Sequence, residues 1–292
     1  MKESMNIDQA AGLRKLIAKR AKGIDLGFHN IVRSILYEDE KTFVMVGCKE
    51  ELVSFCNLTA NLAATFAKLN KRIVLFDAHP KEINTSLILG LKAPLGIKDF
   101  VKKGCQFDDI IYDFHKRLKV VRDLEAIQAI YDWDTEIKVT FFKEMEKLLN
   151  RQSDIILINE INALFSLVLK NVVIVISPSR DSIVNGYKNL KSIFEANNTA
   201  NFYCLVNNAY SPHQAGEIAS KFIRAAKDLL DLRVEHLGSL VLSPEVIRSI
   251  KNKKPFVQRY SCSKSSTHIR QMAQKMIMFS SKDSSSYKEG YS

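Results

Sequence analysis

Between two apolar runs, Val44–Val46 and Ile73–Phe76, the chain carries a segment laid out like a phosphate-binding loop followed by a helix. In a working loop of this kind, glycines let backbone N–H groups close round phosphate oxygens. A lysine neutralises the phosphates, and a Ser or Thr hydroxyl holds Mg²⁺. Here the loop reads Gly47-Cys48-Lys49-Glu50-Glu51-Leu52-Val53-Ser54-Phe55-Cys56-Asn57. The second apolar run ends at Asp77, with His79 two residues on, and a third, Ile155–Ile158, ends at Asn159-Glu160. Asn159 supplies no charge, and Glu160, one residue on, projects to the opposite face of the strand. Phe202–Val206 ends at Asn207, a residue common where a strand gives way to a turn. The frame of a nucleotide site is kept while much of its charge chemistry is replaced.

These residues need strands and helices to position them. Asn57–Leu69 carries Leu58, Leu62, Ala63, Phe66 and Leu69 at helical spacing. Gly96–Val101 starts a helix that stops at Gly104, and Ile110–Phe114 and Leu118–Val121 are further apolar runs. Residues 124–150 read as helical, with Phe141, Phe142, Met145, Leu148 and Leu149 inward and Trp133 partly buried in its Asp-Trp-Asp turn. Val172–Ile176 precedes Ser177-Pro178, a helix runs from Ser182 past Tyr187 to Phe194, and residues 214–229 form another. Leu237–Pro244 reads as strand and turn, and Val246, Ile247 and Ile250 as one helix face. About seven strand-like runs alternating with helices predict an α/β fold with a mostly parallel, doubly wound sheet.

From Val44 to Leu91, the succession strand, loop, helix, strand, Asp77-Ala78 and then Asn84…Leu89-Gly90-Leu91 resembles the MinD/ParA class of deviant Walker ATPases, a P-loop NTPase fold. Within that class the resemblance is to flagellar-number regulators of the FlhG (FleN) type. The match puts Glu50 where the family's signature lysine belongs, Phe55 at its Walker lysine and Cys56 at its Mg²⁺-binding Ser/Thr. Glu51, Leu52 and Ser54 fall on glycine positions, and His79 on the second Asp of the Asp-x-Asp motif. Asn159 takes the Walker B carboxylate's place, Ser243 stands for a later Asp, and Asn207 matches the family's adenine-reading asparagine. Residual nucleotide-site positions are therefore Lys49, Glu50, Phe55, Cys56, Asp77, His79, Asn159 and Asn207. A charged hydrogen bond to phosphate is worth roughly 1.5–3 kcal/mol. Losing two lysines should then weaken nucleotide binding about a thousandfold. The resemblance thus implies a pseudo-ATPase with no cofactor, or ATP or ADP with Mg²⁺ held only weakly. The alternative is a divergent ATPase cycling between membrane and cytosol, with Lys49 and Asp77 serving the nucleotide.

Upstream, Asp8 can cap a helix whose apolar stripe is Ala10, Leu13, Leu16 and Ile17, with Gly23 as its stop. Arg14, Lys15, Lys19, Arg20 and Lys22 favour its C-terminal end electrostatically. Such a helix either packs on its own domain or docks on a partner. Asp8-Gln9-Ala10-x-x-Leu13-Arg14 resembles the DQAxxLR activator element of the FlhG type, which implies docking on an FlhF-like signal-recognition-type GTPase. Asp8, Gln9, Ala10, Leu13 and Arg14 would bind, Gln9 would act in trans, and flagellum biogenesis in a bacterial cytoplasm would be regulated. A paralogous FlhG/MinD protein or flagellar basal-body components are further candidate partners.

The 292-residue chain is 46% hydrophobic, enough for one substantial core. Domain expectations are an activator helix at 1–23, a linker at 24–42, an α/β domain at 43–279 and a disordered tail at 280–292. Neither a secretory apolar region nor a membrane-spanning run is evident in the sequence. Five cysteines without C-x-x-C or metal-ligand spacing read as reduced thiols, with no metal site. A net charge of +11 favours an acidic partner, but it is scattered, so nucleic acid is not expected. Ser266–Phe279 is amphipathic and either packs as a domain helix or touches membrane weakly, from the inner face of the cytoplasmic membrane, through Ile269, Met272, Met276, Ile277 and Phe279.

Overall fold

The computed structural model describes Leu36 and residues 39–78, 84–161 and 163–282. The expectations for the helix at 1–23, most of the 24–42 linker, His79 and the tail beyond residue 282 lie outside these described residues. The described chain opens with β1 (Thr42–Val46), α1 (Leu52–Lys68), β2 (Ile73–Asp77), α2 (Thr85–Ile88) and α3 (Ile97–Val101). It continues through β3 (Ile111–His115), β4 (Leu118–Arg122), α4 (Thr135–Gln152), β5 (Ile155–Glu160), β6 (Asn171–Ile176) and α5 (Arg180–Ala196). The last third holds β7 (Asn201–Ala209), α6 (Pro212–Leu230), β8 (Val234–Val241), α7 (Pro244–Asn252), α8 (Phe256–Arg259) and α9 (Lys264–Lys282).

The strands form one sheet in the order β3-β4-β2-β5-β1-β6-β7-β8. Every neighbouring pair is parallel except the β3–β4 hairpin at one edge. That hairpin adds a strand beyond the βα alternation. The central strands are continuous apolar runs because both sheet faces are covered. Successive side chains alternate between faces: Phe43 and Met45 of β1 join one core, Val44 and Val46 the other. Residues from α1, α7, α8 and α9 complete the first core, and residues from α4, α5 and α6 the second.

Helix α1 buries 14 of its 17 residues, so it lies inside the layer rather than on the surface. Its polar residues are satisfied from neighbouring elements, as burial demands. Asn57 Oδ1 accepts from Ser249 Oγ of α7 at 2.8 Å, and Asn61 Oδ1 accepts from the Val257 N–H of α8 at 3.1 Å.

Several expectations change. The helix begins at Leu52, five residues before Asn57, because Leu52, Phe55 and Cys56 extend its buried stripe at i, i+3, i+4. Residues 124–150 are not one helix: a 3-10 run, Leu124–Asp132, ends at Trp133, whose backbone is extended, and α4 starts at Thr135. Trp133 is buried rather than half-buried, its ring edge-on to Phe141 with centroids 5.1 Å apart. Phe142 is only partly buried.

The suggested membrane-facing residues of α9 are turned inward. Ile269, Met272 and Met276 are fully buried beside α1 and β8, and Phe279 packs on Tyr203 at 5.0 Å between centroids. A stripe used for the core is not offered to lipid. No helix among the described residues is long and apolar enough to cross a membrane.

Candidate functional site

The loop resembling a phosphate cradle runs only from Gly47 to Glu51, between β1 and α1. Gly47 N–H donates to Glu160 O at 3.0 Å, prolonging the β1–β5 pairing past the strand end. Phe55 then folds back from the first turn of α1 over this glycine. A β-carbon at Gly47 would stand 2.4 Å from Phe55 Cδ1, so only glycine leaves room for the ring. Phe55 is itself 1% exposed. At the position matched to the Walker lysine, the chain has placed a packed aromatic ring.

Beyond Gly47 the loop's charges are split. Lys49 and Glu50 are exposed. The Cys48 thiol donates to the Glu50 carboxylate, a bond that holds Glu50 below the usual carboxylate range. Burial, followed by this neighbour, pushes the Cys48 thiol up. Glu51 turns the other way and receives hydrogen bonds from Ser177 Oγ and, at 3.0 Å, from Ser179 Oγ. Ser179 also caps α5, accepting from the Ser182 N–H at 3.2 Å. The Glu51 carboxylate thus sits at the positive end of the α5 dipole.

Beneath the loop lies a buried polar network. Asn159, at the tip of β5, donates to Thr85 Oγ1 at 2.8 Å and accepts from Thr59 Oγ1 at 3.0 Å. Its amide also approaches Cys56 Sγ at 3.7 Å. Asp77, beside Asn159 in the sheet register, accepts the Thr85 N–H through Oδ2, while its buried Oδ1 has no hydrogen-bond partner. Burial pushes the Asp77 carboxyl up to about 6, against the pull of the Thr85 N–H. Burial also pushes the Cys56 thiol up, and the Asp77 charge adds to it. Thr85 opens α2, whose cap is Asn84, accepting from the Leu87 N–H at 2.9 Å.

Glu160 faces the other side of the sheet, as strand alternation requires. Its oxygens accept the Phe165 and Ser166 N–H groups at 2.8 and 3.0 Å. Burial raises this carboxyl, and it serves the segment after β5 rather than the Asp77 side. Asn207 closes the site from β7, donating to Ser54 O at 3.2 Å with its buried Oδ1 unpartnered.

The structure brings together Phe55, Cys56, Asp77, Asn159 and Asn207 around the start of α1, with Lys49 and Glu50 on the rim. His79 and the stretch Asp8, Gln9, Ala10, Leu13 and Arg14 lie outside the described residues. Sequence reading missed Glu51's tie to Ser177 and Ser179, and missed Thr59 and Thr85 as partners of Asn159. No local pattern marks these, since the partners lie far apart in the chain: Ser177 and Ser179 in the β6–α5 turn, Thr59 within α1 and Thr85 at the start of α2. Among the described residues no group of three or more His, Cys, Asp or Glu is arranged to hold a metal ion.

Compared with known proteins, the chain is similar to the antiactivator FleN of Pseudomonas aeruginosa. The two are 20% identical over 226 residues, covering 75% of this chain and 80% of FleN. Its fold is similar to a chain of the MinC:MinD cell division protein complex of Aquifex aeolicus, with TM-score 0.61, 20% identity, and 82% and 96% of the two chains covered. It is also similar to the septum site-determining protein MinD of Pyrococcus horikoshii, solved with Mg-ADP. That match has TM-score 0.62 and 16% identity, covering 85% of this chain and 99% of the other. No protein-family model matches the chain.

Proposed function

We propose that this MinD/ParA-type chain, similar to FleN, is a regulator that works by binding and has given up the family's nucleotide cycle. The observation that carries the reading is the Phe55 ring packed on Gly47, 1% exposed. The residues present do not fit a magnesium nucleotide. A ring fills the space over the first loop residue, and the loop's Glu50 carries the charge sign that repels phosphate. An uncharged amide, Asn159, stands at the tip of β5 with both its oxygen and its nitrogen already engaged. Emptying this network for a nucleotide would strand buried donors and acceptors, each costing about 1–3 kcal/mol.

The partner is an FlhF-like GTPase, engaged through Asp8, Gln9, Ala10, Leu13 and Arg14, with Gln9 acting in the GTPase's site. The support is the Asp-Gln-Ala-x-x-Leu-Arg stretch in a chain whose core has the MinD fold and whose curated similarity is to FleN. The output would be flagellar number or placement.

Two measurements test this reading. Calorimetric titration with Mg²⁺ and ATP or ADP should give no heat up to millimolar nucleotide. Micromolar binding would sink the loop argument and restore the membrane-cycling ATPase. GTP turnover by an FlhF-like GTPase should rise on adding the chain, and the Gln9→Ala variant should lose the rise. Equal stimulation by both would remove Gln9 from the mechanism.

A further inference from the structure

A groove lies away from the loop, at the β8 edge of the sheet, three strands from β1. Among the described residues β8 pairs only with β7, and α6 and α9 pack on either side of it. Between the two helices runs a groove of about 630 Å³. Its floor is residues 236–239 with Val241, and its walls include Gly216 of α6 and His268, Met272 and Met278 of α9. A second depression continues along α6 past Ser220, Lys221 and Arg224, sharing Pro212 and Gly216 with the first.

Three observations bear on what the groove holds. Gly216 sits inside α6, where glycine costs about 1 kcal/mol relative to alanine. A β-carbon there would meet nothing within 4 Å, so no packing within the described chain asks for glycine. Its missing side chain keeps the wall of the groove open. Next, the first half of the edge is guarded. A bulge at Leu237–Gly238 interrupts the ladder, and Lys275 Nζ donates to His236 O at 3.3 Å. These are devices that protect strand edges. Past them, Ser239 and Val241 pair with Val206 and Ala209 of β7 across a second register shift, and no described strand lies on their outer side. Finally, the lining is apolar with a basic rim: Lys221, Arg224 and Lys275 face a single lining carboxylate, Glu217. In the wall, His268 Nδ1 is buried without a hydrogen-bond partner.

We propose that this groove binds an extended acidic segment of a partner protein. One large apolar side chain of the segment sits over Gly216 against Val241 and Met278. Its main chain adds to the Ser239–Val241 edge, and its flanking carboxylates meet Lys221, Arg224 and Lys275. Backbone pairing supplies affinity and the pocket supplies selectivity, as in other strand-addition sites. The proposal is independent of the nucleotide question, since the groove shares no residue with the loop site.

The test uses the full chain as bait for a random nine-residue peptide display library. Fluorescence anisotropy then measures the enriched peptides on wild type, Gly216→Ala, Gly216→Leu and the Lys221→Glu/Arg224→Glu pair. Enriched peptides should carry one large apolar residue flanked by Asp or Glu. Gly216→Leu should weaken them about tenfold or more, as loss of an anchor pocket does. Charge reversal should weaken them by a similar factor, and more so at low salt. Gly216→Ala should raise the thermal midpoint, and Gly216→Leu should not lower it, so lost binding cannot be lost folding. No enrichment, basic consensus peptides, or equal affinity for Gly216→Leu would overturn the proposal. A dimer seen by light scattering and abolished by Gly216→Leu would also overturn it, assigning the groove to a second copy of this chain.

Discussion

Asn159 and Thr85 are joined by a 2.8 Å hydrogen bond from the side-chain amide to the hydroxyl, so the tip of β5 holds the start of α2 without any charge. Asn159→Asp is nearly isosteric but removes this donor and sets a second buried carboxylate beside Asp77. It should destabilise the fold by roughly 2–4 kcal/mol, from the lost hydrogen bond and the buried charge. Urea melts at pH 7 check this. A variant as stable as wild type would mean that water or a cation reaches the site.

Asp77 carries a pH dependence of the opposite sign to most carboxylates. Its carboxyl titrates at about 6 in the fold against an ordinary 3.8, so between these values the native state binds more protons than the unfolded state. Stability should therefore fall as pH rises through that window and level off above it. Asp77→Asn should remove the Asp77 share of this slope, leaving that of Glu160, and stabilise the protein at pH 7 by roughly 1–3 kcal/mol, with little gain near pH 4. Melts across pH 4–8 on both proteins decide it; an unchanged slope would assign the titration elsewhere.

Gly47 and Phe55 should behave as one unit. Gly47→Ala alone forces the ring aside and should cost about 1–3 kcal/mol as overpacking. Phe55→Ala alone leaves a cavity and should cost about 3–5 kcal/mol. In the double variant the alanine methyl occupies vacated space, so the double variant should lose less than the two single losses added together. Simple additivity in denaturant melts would show that the ring does not lie on Gly47 in solution.

Helix α9 should be essential to folding rather than to attachment. Met272 and Met276 are 1% and 0% exposed, and cutting either to alanine should cost about 2–5 kcal/mol. Met278, 57% exposed, should tolerate alanine within about 0.5 kcal/mol. Thermal midpoints of the three variants make the comparison; equal tolerance would mean that the helix leaves the domain readily.

The architecture was readable because buried parallel strands announce themselves as apolar runs, and β1, β2, β5, β6 and β7 fall where those runs are. The separation of Asn159 from Glu160 was readable too, since alternation along a strand is a matter of counting. The inner wiring was hidden. Glu51 finds Ser177 across 126 residues only because β1 and β6 are neighbours in the sheet, which no local spacing encodes. Apolar periodicity likewise did not separate the 3-10 run before Trp133 from the α-helix after it, because both present a residue every third or fourth position inward. Phe55 read as a lost lysine; that its ring would lie on Gly47 depended on where α1 begins.

The grip on α1 from Asn57, Asn61 and their partners in α7 and α8 has a consequence for how such a protein could be governed. A switch needs a moving part whose two positions a small molecule can choose between. Here the helix that would have to move is tied on several sides by buried hydrogen bonds, and its leading turn is weighted by Phe55. If the protein acts by binding alone, as proposed, the strength of its signal is the number of copies present. Its dosage, set by synthesis and turnover, then becomes the quantity a cell must meter.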